Sequence, residues 1–166
     1  MSSSEGSGPT YQTMRGRDYP TLRQFTVFLE NRVGQLLDVV RRIEISGNRI
    51  LGFSINDSSD CALVRFLLRN PETGRETFER AGLSFFESDC IGVELPESGQ
   101  PFQEICMAIL QAEINIVRAY PLLGRSSGGP AIAICVDNPE VALDTLAQKG
   151  FRLLHEGDLL DHDDDG

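Results

Sequence analysis

The 166-residue chain carries a formal net charge of −10, with 40% apolar and 24% charged residues. Such a composition describes an ordinary globular protein with material for a core, and the length allows one domain or two very small ones. The acidic balance argues against a nucleic-acid surface, which needs clustered Lys and Arg, and no apolar run approaches the roughly 20 residues of a membrane span.

In chain order, residues 1–20 mix Ser, Gly, Thr and Pro without an apolar period and read as a disordered arm. The arm lacks the apolar centre of a secretory signal, so a cytoplasmic location is expected. From Thr21, TLRQFTVFLE alternates as a strand, with Phe25, Val27 and Leu29 on one face. Leu36, Leu37, Val40 and Ile43 then fall at helical spacing, predicting a helix over Gln35 to Ser46 with Gly47 at its end. RILGFSI and CALVRFLL predict two strands around the turn NDSSD. Asn70, Pro71 and Glu72 open the next helix as N-cap, first-turn proline and dipole-favoured carboxylate. Gly82 closes that helix, and LSFFES predicts a fourth strand.

The second half repeats this order. A shift of 66 places Leu29 on Leu95, Leu36 on Phe102, Ile43 on Ile109 and Ile50 on Ile116. Beyond the hairpin the shift becomes 68, so that Asn70, Pro71 and Glu72 fall on Asn138, Pro139 and Glu140. The two-residue change lies in LLGRSSGGP, a hairpin loop, where insertions are tolerated. This period is too long for common solenoid units, so the chain reads as a duplicated small domain. A βαββαβ order is that of the ferredoxin-like fold, an α+β unit with an antiparallel sheet and helices on one face. The expected division is an arm over 1–20, modules over 21–88 and 89–157, and an acidic tail over 158–166.

At ENRVG, followed by a glycine-ended helix and an Ile-led strand, the sequence resembles the ACT domain family. These are small ferredoxin-like modules that bind amino acids and regulate metabolic enzymes. A common family turn reads Glu-Asn-Arg-Pro-Gly, and Val33 stands here in place of the proline. The resemblance covers about residues 21 to 156. It implies a tandem, free-standing regulatory protein, without catalytic residues, metal or cofactor, holding an amino acid or similar small carboxylate between its modules.

The physics of the turn points the same way. A glycine-containing loop feeding a helix leaves backbone N–H groups unpaired, and such groups favour a carboxylate. The expected site combines Asn31, Arg32, Val33, Gly34, Gln35 and Leu36 with Asn115 and Ile116 of the second module. By the resemblance, the family asparagine before strand two is intact at Asn115, whereas the first copy has Arg49, with Asn48 displaced by one. Asn48 and Arg49, with Glu97, Ser98 and Gly99 of the second turn, therefore read as a degenerate second site. Leu29 stands where many relatives carry a polar residue.

Other signals are weaker. GRSSGG lacks the Lys and the following helix of a phosphate loop and reads as a flexible hairpin tip. His155 and His162 lie among acidic residues in a solvated tail. Four scattered cysteines, Cys61, Cys90, Cys106 and Cys135, carry no metal spacing and read as reduced, buried thiols. An amino-acid-binding regulator is the reading these features favour. The alternatives are a docking subunit of a metabolic enzyme, such as one of amino-acid biosynthesis, and an enzyme on the same scaffold. Two further expectations concern assembly: the modules pair strand two against strand two, and a homodimer covers the open sheet face.

Overall fold

The computed structural model describes residues 20–123 and 128–159. Most of the N-terminal arm, residues 124–127 of the GRSSGG tip and the acidic tail beyond Leu159, including His162, lie outside the described residues. The elements are β1 (Leu22–Glu30), α1 (Gln35–Ile45), β2 (Ile50–Asp57), β3 (Cys61–Leu68), α2 (Pro71–Arg80) and β4 (Ser84–Glu94). The second half continues with α3 (Pro101–Gln111), β5 (Ile116–Pro121), β6 (Ala131–Val136), α4 (Pro139–Gln148) and β7 (Leu153–Leu154). A short 3-10 turn follows at Glu156–Asp158.

Local chemistry accounts for these boundaries. Asn70 accepts from the Thr73 N–H at 3.2 Å and Asn138 from the Val141 N–H at 3.3 Å, with proline next in each helix. The duplicated capping motif is thus used twice in the same way. Asn48 is spent differently from the expectation. It is 7% exposed, its Nδ2 donates to the Asn70 carbonyl at 2.7 Å, and its Oδ1 accepts from the Arg49 and Asn70 N–H groups at 2.9 and 3.0 Å. Its amide therefore ties the start of β2 to the start of α2.

The strands run in the order β2-β3-β1-β4-β6-β5, with β7 also on β4. Both halves show the ferredoxin-like order, and the sheets lie side by side with their helices on one face. One feature replaces the expected edge pairing. Strand β4 is continuous for 11 residues; its stretch from Ser84 to Cys90 pairs with β1, and from Ile91 onward it pairs with β6 and β7. The last strand of the first module is thereby the first strand of the second. β2 and β5 stand at opposite ends of the hydrogen-bonded path and make no ladder with each other. The sheet curls until they meet, and the Leu123 N–H donates to the Leu51 carbonyl at 2.6 Å. Gly52 permits that approach: a Cβ there would sit 3.1 Å from Tyr120 Cε2.

Three apolar cores follow from this curl. In the first module, Phe25, Val27, Val64, Phe66 and Phe78 pack between sheet and helices, with the Phe25 and Phe78 rings edge to face at 5.4 Å. In the second, Ile91, Val93, Ile105, Ile109 and Ile134 do the same. The third joins the helix-free faces of both sheets, through Leu22, Leu51, Leu67, Cys90, Tyr120 and Ala133. This core covers part of the open face within the chain, while Phe28 on the same face stays 41% exposed.

A shared strand and a shared core couple the modules. Urea unfolding followed by circular dichroism and by tyrosine fluorescence should give one coincident transition; two separated transitions would show the modules unfolding independently. Replacing Asn48 by Ala removes the three hydrogen bonds that this buried amide makes to the backbone of Arg49 and Asn70. It should cost about 1–3 kcal/mol, read as a lowered urea midpoint, whereas Asn115→Ala should leave the midpoint nearly unchanged.

Candidate functional site

The expected turn forms a helix start. Gly34 takes φ +90°, a left-handed conformation natural to glycine, and precedes α1 with no side-chain cap among the described residues. Asn31, Arg32 and Val33 are exposed and Gln35 and Leu36 half-buried. Arg32 Nε pairs with Glu30 Oε2 at 2.8 Å on the surface. The turn borders a cavity of about 420 Å3 through Gln35, and the charged groups lining that cavity are the carboxylates of Glu30 and Asp60. Asp60 repels an anion, while Glu30 is paired with Arg32.

Asn115 precedes β5 with its side chain exposed. Its N–H donates to Asp137 Oδ1 at 3.1 Å, and its carbonyl accepts from the Asp137 N–H at 3.2 Å. The matching backbone bond in the first module runs from the Arg69 N–H to the Arg49 carbonyl at 2.9 Å. Arg49 and Asn115 are therefore true equivalents, as the 66-residue shift implied. Ile116 pairs with Val136. The lining of the turn cavity does not include Asn115 or Ile116. Of the second set, Asn48 is buried in the fold, Arg49 is exposed, and Glu97, Ser98 and Gly99 form an exposed turn before α3. That turn is closed by the Ser98 N–H on the Pro96 carbonyl at 2.9 Å.

A larger cavity, of about 540 Å3, lies between the modules. The helix-free face of the first sheet contributes Gln24, Thr26, Arg65 and Ser88 to it. The second module contributes Arg118 and Cys135 from β5 and β6, and Asp137 just after them. Gln24 organises the junction: its Oε1 accepts from the Tyr120 hydroxyl at 2.7 Å and from Cys135 Sγ at 3.5 Å, and its Nε2 donates to Ser88 Oγ at 3.1 Å. The Thr26 hydroxyl is buried without a hydrogen-bond partner among the described residues.

The cavity wall carries two arginines, Arg65 and Arg118, and two aspartates, Asp89 and Asp137, and neither arginine is tied to a carboxylate among the described residues. Arg65 is 8% exposed, and its Nη1 donates to Asn56 Oδ1 at 2.7 Å, a neutral acceptor. Burial, and then the neighbouring Arg118, hold the Arg65 pKa below its ordinary value. Burial pushes the Tyr120 hydroxyl well up. Cys135 moves the other way: a hydrogen bond from Cys90 outweighs burial and, with the charges of Arg118 and Arg65, lowers its pKa. Asp89 also lines the cavity, so both signs of charge are presented.

Reading the sequence missed this set. Gln24, Thr26 and Arg65 alternate with core residues along their strands, the pattern of a solvated sheet face. The available signal was the duplication itself, because two such faces in one small chain can be turned toward each other. Among the described residues no cluster of His, Cys, Asp and Glu could hold a metal ion, and no helix is long and apolar enough to cross a membrane.

Comparison with known proteins agrees with the fold. The profile of a family described as ACT domain pair matches residues 20–162. Protein BT0572 from Bacteroides thetaiotaomicron superposes with a TM-score of 0.77 at 18% identity, over 86% of this chain and 98% of that one. The ligand-free regulatory subunit of aspartate kinase from Thermus thermophilus superposes with a TM-score of 0.53 at 12% identity, over 79% and 93% of the two chains. At such identities the likeness speaks to the fold alone. Among curated proteins none matches the chain by sequence. The family match spans both modules and the strand they share, and the chain belongs to the ACT domain pair family.

Proposed function

We propose that the chain is a non-catalytic regulatory protein that binds an amino acid, or a similar small carboxylate, in the cavity between its modules. The observation that carries this reading is the pair Arg65 and Arg118, both lining the cavity without a carboxylate partner among the described residues. A buried guanidinium is costly unless paired, and a ligand carboxylate supplies the missing charge in bidentate geometry. Asp89 and Asp137 line the same space and offer acceptors to an α-ammonium group. The Thr26 hydroxyl supplies a further donor or acceptor.

This places the ligand between the modules, as the family resemblance implies, but on different residues from the turn and Asn115. No cationic side chain lines the cavity beside the turn among the described residues, which makes it the poorer seat for an anion. Exposed apolar side chains on α1 and α3, among them Leu37, Ile45, Met107 and Leu110, favour a second role: docking on a metabolic enzyme. The Thermus thermophilus neighbour is itself a regulatory subunit.

A thermal-shift screen of the full chain against the twenty amino acids tests the reading. A true ligand at 100-fold above its Kd should stabilise by about 2.7 kcal/mol. Arg118→Ala should weaken binding by about 1.5–3 kcal/mol per charged hydrogen bond lost, and Arg65→Met by a similar amount, while Asn115→Ala should bind as the parent does. The cavity assignment fails if Asn115→Ala loses binding and Arg118→Ala keeps it. The function itself fails if neither an amino acid nor a small carboxylate stabilises the parent.

A further inference from the structure

Two of the four cysteines stand together at the junction of the modules. Strand β4 pairs with β6 from Ile91 opposite Ile134 to Glu94 opposite Ala131. One further step of that register sets Cys90 against Cys135, and the two thiols hydrogen-bond each other. Directly opposed antiparallel residues lie about 4.5–5.5 Å apart at Cα, within the about 4.4–6.8 Å that a disulfide spans. Both are free thiols, Cys90 buried at 2% exposure and Cys135 half-buried on the cavity wall. Access and burial are thus divided between two sulfurs in contact.

The surroundings divide their chemistry as well. Arg118 from β5 and Arg65 from β3 place two positive charges toward Cys135, and the Cys90 thiol donates to its sulfur. These groups favour the thiolate, the reactive form. Cys90 sits among apolar groups, beside the Tyr120 hydroxyl and the Asp89 carboxylate, and remains a thiol. Cys61 and Cys106 are half-buried elsewhere, on β3 and α3.

We propose that Cys135 is a site of oxidation by hydroperoxides and that Cys90 resolves it, forming a disulfide between β4 and β6. The Cys135 thiolate attacks one peroxide oxygen, the O–O bond breaks, and sulfur is oxidised to the sulfenic acid while the other oxygen leaves and takes a proton as alcohol or water. The Cys90 sulfur then gives up its proton and attacks the sulfenic sulfur; the S–O bond breaks, the S–S bond forms, and water leaves. In sum, two thiols and one hydroperoxide give one disulfide, one alcohol (or water) and one water, and a dithiol reverses it. The step removes the Cys135 thiol that donates to Gln24 at the centre of the junction. It holds whether or not the cavity takes a ligand.

The test treats the full-length reduced protein with limiting hydrogen peroxide, alkylates the remaining thiols, and maps peptides by mass spectrometry without reduction. The expected product is a Cys90–Cys135 crosslink lighter by two hydrogens, with Cys61 and Cys106 alkylated. In the Cys90→Ser variant, Cys135 should instead be trapped as a sulfenic acid by dimedone. Without peroxide, Cys135 should alkylate at neutral pH about tenfold faster than Cys61 or Cys106, as a lowered thiol pKa requires. Oxidation of Cys61 or Cys106 while Cys90 and Cys135 stay alkylatable overturns the proposal. So does a Cys90→Ser protein, folded by circular dichroism, whose Cys135 yields no dimedone adduct.

Discussion

A single strand serving two sheets is the constraint on which this molecule depends. β4 continues without a break from Ser84 to Glu94, and its partners change between Cys90 and Ile91. Because side chains alternate along a strand, continuity fixes which faces the two modules share. Phe85, Ile91 and Val93 all point to the helices, while Cys90 enters the core between the sheets. The right-handed twist of such a sheet curls it, and the curl brings β5 back onto β2 at Leu51 and Gly52. Two small modules, each with limited surface to bury, thereby gain a third core that neither could form alone.

The same closure makes the cavity. Where Leu22, Leu67 and Tyr120 meet, the opposed faces are apolar and seal. Beside that seal, Gln24, Thr26 and Arg65 face Arg118 and Cys135, and a space of about 540 Å3 remains. Tyr120 of the seal and Gln24 of the cavity wall are joined by a 2.7 Å hydrogen bond that spans the modules. This contact is one route by which a change in how the modules meet reaches the cavity. That is the physical basis on which a small ligand could alter a surface elsewhere.

Much of the fold was legible because its determinants are local. The Asn-Pro-Glu openings of α2 and α4, the helix period of α1 and the 66-residue repeat all act within a few residues, or compare the chain with itself. β4 was less legible: the polar pair Ser88–Asp89 reads as a break, and a change of partner along one strand leaves no local mark. Asn48 illustrates the limit at single-residue scale. Beside Arg49 it resembles a displaced ligand-binding asparagine, yet it is consumed by the start of α2, more than twenty positions away. Arg65 and Arg118 look like solvated charges along half-polar strands until the second sheet is placed over the first.

The central claim is that the two arginines between the modules, rather than the turn before α1, receive a carboxylate. An NMR titration of the full chain, labelled at arginine Nε and at the backbone amides, tests it most directly, using whichever amino acid or small carboxylate stabilises the protein. The Nε–H signals of Arg65 and Arg118 should shift saturably with one common Kd, while the amides of Gly34, Gln35 and Leu36 stay in place. Saturable shifts at those three amides, with the signals of Arg65 and Arg118 unmoved, would contradict the account.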